Sequence, residues 1–96
     1  MDRHGYVYIL ASRPNGTLYV GVTSNLAQRI SAHKSDLVEG FTRRYAVHRL
    51  VWYEVHETIL SAIAREKQLK HWRRSWKLEL IETSNPAWED LSATIA

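Results

Sequence analysis

The sequence predicts a small α+β domain with the element order β-β-α-β-α-α. Three observations carry that expectation. Two short runs rich in tyrosine and aliphatic residues flank a Pro-Asn-Gly turn. A nearly continuous apolar run, "VHRLVWYEV", lies mid-chain, and three further segments place apolar residues at helical spacing.

The first run reads as a strand from Tyr6 to Ala11. "RPNGT" then turns the chain into a second strand, Thr17 to Val22, so the pair forms a β-hairpin. Thr23, Ser24 and Asn25 offer N-caps for a helix from Leu26 to Ser35. Asp36 to Ala46 has weak periodicity and reads as a loop with one helical turn, carrying Gly40 and the pair Arg43-Arg44. Val47 to Val55 is the strongest strand, and its apolarity suits a central strand covered on both faces. A second helix is expected from Glu57 to His71 and a third from Arg73 or Arg74 to Glu82. Asn85-Pro86 then forms a turn, because the residue before proline avoids the α region.

Ninety-six residues suit one domain over residues 1–96, with a single modest core. Cysteine is absent, which excludes a disulfide framework and is compatible with a reducing compartment. The N-terminus lacks the pattern of a secretory leader, and no apolar run approaches the roughly 18 residues of a membrane span. A soluble, cytoplasmic protein is therefore expected. The net charge is +3, and its distribution says more than its size. Between Arg65 and Lys77 stand six of the 13 Lys and Arg residues, opposed only by Glu66. Concentrated positive charge interleaved with Trp72 and Trp76 suggests a polyanionic partner. Tryptophans one turn apart are also the usual way to anchor a helix to a core, and both are expected there.

Helical phase exposes two polar residues on apolar faces. With Leu26 at zero, Ile30 lies about 40° round the first helix, His33 about 20° the other way, and Arg29 about 60° off. Both Arg29 and His33 should face the sheet. With Ile59 at zero in the second helix, Ile63 lies near 40° and Glu66 about 20° to the other side. Glu66 should occupy the middle of the buried face, and a buried carboxylate needs a partner: Arg29, a lysine such as Lys70, or a metal ion. In the hairpin, Tyr6, Tyr8 and Leu10 share one strand face and Tyr19 and Gly21 another, leaving Val7, Ile9, Leu18, Val20 and Val22 for the core. A glycine inside a strand often marks a close approach by a ligand or another backbone.

These residues resemble the motifs of the GIY-YIG nuclease family. Tyr6-Val7-Tyr8 stands for Gly-Ile-Tyr without its leading glycine, and Tyr19-Val20-Gly21 for the second motif. The family's arginine and histidine match Arg29 and His33, its helix glutamate matches Glu66, and its asparagine matches Asn85. The stretches "EGFTRRY" and "REKQLKHWRR" look like those of the small, single-domain bacterial branch.

The resemblance implies a three-stranded antiparallel sheet flanked by helices, and metal-dependent hydrolysis of DNA phosphodiester bonds, with RNA not excluded. Glu66 would bind one divalent cation, Mg²⁺ or Mn²⁺. Tyr19 would orient or deprotonate the attacking water with Tyr8 beside it, Arg29 would neutralise the scissile phosphate, and His33 would assist by hydrogen bonding or proton transfer. Gly21 would leave space for the phosphate backbone. Lys34, Arg43, Arg44, Lys67, Arg73, Arg74 and Asn85 are the further candidates for contacting nucleic acid. A structure-selective role in repair or recombination is the narrower expectation, with a protein partner supplying specificity. The alternative is a catalytically inactive nucleic-acid-binding module of the same fold.

Overall fold

A computed structural model of the chain describes residues 4–35 and 44–95. Arg43 and Gly40 lie outside the described residues. Strands β1 (Gly5–Ala11), β2 (Leu18–Thr23) and β3 (Arg49–His56) form one antiparallel sheet in the order β2-β1-β3. Helix α1 (Leu26–Lys34) follows the hairpin; α2 (Ile59–His71) and α3 (Arg74–Ser84) follow β3, and a single 3₁₀ turn spans Leu91–Thr94. Among the described residues, no helix is long and apolar enough to cross a membrane.

Local chemistry explains the boundaries. Asn15 sits at φ 58°, a left-handed conformation that asparagine tolerates, and turns β1 into β2. Asn25 Oδ1 caps α1 by accepting from the Gln28 N–H, and Thr58 Oγ1 caps α2 by accepting from Ser61 N–H. Arg74 Nη2 donates to the carbonyls of Asn15 and Gly16, at 3.0 and 2.6 Å, and so straps the hairpin turn to the start of α3.

The central strand is β1, not the apolar β3. Val7, Ile9, Leu10 and Ala11 are wholly buried. The sequence of β3 looks two-sided because of a β-bulge. Ile9 pairs with Trp52 and Leu10 with Leu50, so Val51 is left without a partner. Val51 and Trp52 then share one core while Leu50 enters the other.

The sheet separates two apolar layers. Val7, Ile9, Val20 and Val51 pack with Ala62 and Leu69 of α2 and Ile81 of α3. On the other face Tyr8, Leu10 and Leu50 pack with Leu26 and Ile30 of α1. Gly5 lets α2 start directly on β1, since a Cβ there would lie 2.5 Å from that of Ala62 and 2.9 Å from Ile59 Cα. Trp72 packs half-buried against the first layer, but Trp76 is 48% exposed and meets Trp72 edge-on at 5.9 Å. The expectation of two core tryptophans therefore holds for only one.

Asn85 closes the fold and is not placed to bind nucleic acid. It is 5% exposed, and its Nδ2 donates to the carbonyls of Val51 and Glu89 while its Oδ1 accepts from Glu89 N–H. All its polar atoms face the chain itself, and it pins the bulge of β3 to the turn after α3. Asn85→Ala would orphan the buried Val51 carbonyl and should cost about 2–4 kcal/mol in urea unfolding. Unchanged stability would contradict this structural role.

Candidate active site

The site begins with a missing side chain. Tyr8 and Gly21 are cross-strand partners, so their side chains leave the sheet on the same face. The Tyr8 ring lies over Gly21, where a Cβ would collide with Cζ and Oη and come within 2.9 Å of Cε2. The space at Gly21 is thus filled by Tyr8 rather than kept for a phosphate backbone. From there the Tyr8 hydroxyl meets Nε2 of His33 at 3.1 Å. His33 is 1% exposed and held by α1, whose Leu26 and Ile30 anchor the helix on the same layer.

Tyr19, two residues before Gly21, completes a cluster of three rings. Its centroid lies 6.4 Å from that of Tyr8 and 5.7 Å from that of His33, while Tyr8 and His33 are 5.9 Å apart. Tyr8 is fully buried and Tyr19 only partly, so Tyr19 is the phenol that solvent or substrate can reach.

Burial raises the pKa of Tyr8 far above its ordinary value, helped by Tyr19 and Glu66 and opposed by Arg29. Burial also lowers that of His33, assisted by the Arg29 and His48 charges. At neutral pH the pair is therefore a phenol and a neutral imidazole sharing one proton-bearing contact. Arg29 is exposed one turn before His33 and acts electrostatically on both.

Glu66 comes from the opposite layer. The buried face of α2 is centred on Ala62 and Leu69, about 70° from Ile59 and about 50° from Glu66, so Glu66 stands on its border rather than in its middle. Its side chain is 12% exposed, and its Oε2 accepts from Lys70 Nζ at 2.7 Å. Of the three partners open to it from the sequence, the protein itself supplies Lys70. Among the described residues no three His, Asp or Glu side chains converge as a metal cage. One hard carboxylate, already in contact with a cationic group, fits an ion such as Mg²⁺ that takes few protein ligands and keeps its waters.

The remaining candidates scatter. Lys34 is bound to the Asp90 carboxylate. Burial alone would raise that carboxyl, but hydrogen bonds from Lys34 and Ser92 bring it down to about 2. Arg74 is held by the hairpin turn. Lys67, Arg44 and Arg73 are exposed, the latter two with guanidinium groups 5.7 and 5.0 Å from the ring centres of Tyr45 and Trp76. Lys70 and Lys77, absent from the sequence-derived site, line an open groove of about 320 Å³ with Leu18, Tyr19 and Val20. The i,i+4 spacing of Glu66 and Lys70 is the signal that points to Lys70.

Two predictions follow from this geometry. Gly21→Ala should destabilise the protein by about 1–3 kcal/mol, and by clearly less in a Tyr8→Ala background, because the clash is with that ring. Equal cost in both backgrounds would refute the contact. For His33, the unfolded chain takes up a proton below its ordinary pKa of 6.5 while the folded site resists it. Stability present above that pH should fall as pH drops below it, and His33→Gln should flatten this loss in urea titrations between pH 7 and 5. An identical pH slope in the variant would exclude a neutral, buried His33.

The comparisons agree with this architecture. Residues 4–79 match the GIY-YIG catalytic domain. A UPF0213 protein of Clostridium perfringens is 38% identical over 80 residues, covering 83% of this chain and 85% of that one. Another, from Staphylococcus saprophyticus, is 33% identical over 84% of this chain and 96% of its own. The solution NMR structure of a UPF0213 protein from Bacillus halodurans superposes with a TM-score of 0.56 at 30% identity, covering 91% of this chain and 92% of that one. The match supports a nuclease-type function and a nucleic-acid substrate. The chain belongs to the GIY-YIG nuclease family, in the small bacterial branch that the UPF0213 proteins represent.

Proposed function

We propose that this protein is a metal-dependent endonuclease that hydrolyses DNA phosphodiester bonds, residues 1–96 acting as one cytoplasmic nuclease domain. The observation that carries the reading is the convergence of Tyr8, Tyr19 and His33 into one ring cluster within electrostatic reach of Arg29 and Glu66.

Each group has a role its surroundings suit. Arg29, exposed on α1, neutralises the scissile phosphate and stabilises charge as it develops there. Tyr19, the accessible phenol, orients the attacking water and takes its proton. Tyr8 is too strongly held in its neutral form to be that base. It fixes His33 instead, and His33 assists by hydrogen bonding or proton transfer. Glu66 would hold one Mg²⁺ or Mn²⁺ ion through its carboxylate. Bound there, a divalent cation supplies Lewis-acid stabilisation of the phosphoryl oxygens. Exposed Lys67, Arg73 and Arg44, with Arg43, contact the nucleic-acid backbone. Such contacts carry little sequence information, which favours a structure-selective role in repair or recombination, or a protein partner that supplies specificity.

A nicking assay on plasmid and branched DNA with Mg²⁺ or Mn²⁺ tests the proposal. Tyr19→Phe should lower cleavage on the order of 100-fold or more, Tyr8→Phe by as much or less, and Tyr6→Phe least. Glu66→Gln should abolish cleavage yet cost no more than about 0.5 kcal/mol of stability, since its i,i+4 partner is half exposed. Full activity in Glu66→Gln would overturn the metal assignment. DNA binding without cleavage under any divalent ion would leave a binding module of the same fold.

A further inference from the structure

Glu66 and Lys70 are unequal partners. The carboxylate is fixed on the border of a buried face at 12% exposure, whereas the lysine side chain is 50% exposed on a flexible four-carbon stem. An ion pair of this kind is weak, so the ammonium can leave at little cost while the carboxylate stays. The groove that Lys70 also lines lies along β2, whose outer edge has no neighbouring strand among the described residues. It is lined by Leu18, Tyr19 and Val20 of β2 and by Lys70 and Lys77 from α2 and α3. Two lysines lining an open groove are suited to a phosphate diester rather than to an apolar ligand.

We propose that Lys70 is a built-in counter-ion for Glu66, which a divalent cation displaces, and that the displaced ammonium then joins Lys77 in binding a backbone phosphate of the nucleic acid beside Tyr19. The proposal rests on the reading of Glu66 as the metal-holding residue. Without the ion, Glu66 and Lys70 cancel. With a dication on Glu66, the same point carries the cation's surplus charge and a freed ammonium besides. Metal binding therefore turns the groove into an anion site, and by linkage a bound phosphate strengthens metal binding in return. The lysine also keeps an isolated carboxylate from standing uncompensated when neither ligand is present.

Mn²⁺ titrations of the DNA-free protein, followed by calorimetry, separate this proposal from the reading beneath it. Lys70→Met keeps an unbranched apolar stem of similar reach and removes the charge. It should bind Mn²⁺ about three- to tenfold more tightly than the unmodified protein, because the competing cation is gone. In a Tyr19→Phe background that slows cleavage, Mn²⁺ should strengthen binding of a fluorescein-labelled 20-base-pair duplex, and Lys70→Met should lose most of that gain. Unchanged or weaker Mn²⁺ binding in Lys70→Met, with Glu66→Gln abolishing it, would overturn the counter-ion role and leave the metal reading standing. Tighter Mn²⁺ binding with the full gain in DNA affinity retained would overturn the phosphate role. Mn²⁺ binding that survives Glu66→Gln would instead defeat the metal reading and the proposal with it.

Discussion

The contact between the Tyr8 ring and the bare backbone of Gly21 is the constraint from which the rest of the site follows. Any side chain at Gly21 would push the ring off β2. The phenol would then lose its 3.1 Å contact with His33, and the three-ring cluster would lose its centre. The glycine thus acts by placing a buried tyrosine. That tyrosine in turn fixes a histidine whose burial keeps it neutral.

The charged groups divide into those that hold the fold and those left for chemistry. Lys34 and Arg74 belong to the first class. Lys34 ties α1 to the chain end through Asp90, whose other oxygen accepts from Leu50 and Ser92 N–H. Arg74 ties α3 to the hairpin turn. Arg29, Lys67 and Arg73 are exposed, and the proposed function draws on them. Part of the dense basic stretch is thus engaged by the fold, and its formal charge overstates what is available to a polyanion.

Much of this was legible from residue patterns. The hairpin follows from its Pro-Asn-Gly turn, the start of the first helix from the cap cluster ending at Asn25, and the inward His33 from helical phase. The failures share a cause: each depends on what lies across from a residue rather than beside it in the chain. The bulge at Val51 made an edge strand look central. Taking Ile59 as the axis put Glu66 in the middle of a face whose true centre is Ala62 and Leu69. The partner of Gly21 is a matter of register, and the enclosure of Asn85 depends on the carbonyls of Val51 and Glu89. Trp76 is exposed although its spacing from Trp72 matches that of core anchors, because Trp72 caps the end of α2 while only Trp76 lies on α3, so the two share no helix face.

The location of the site has a topological reason. Tyr8 and His33 belong to the layer under α1, whereas α2, which carries Glu66, packs on the opposite layer. A continuous sheet stands between those layers, so groups from both can cooperate only around an edge. With β1 central, the edges are β2 and β3. The β2 edge is the one that Tyr8 reaches, because Gly21 lets its ring cross the strand, and Tyr19 and Lys70 meet in the groove along the same strand. Edge strands are usually guarded by charge, lysine above all, because their unpaired backbone invites other strands. Here Lys70 and Lys77 sit beside that edge, so the residues that would discourage strand addition are also those suited to receive a phosphate backbone.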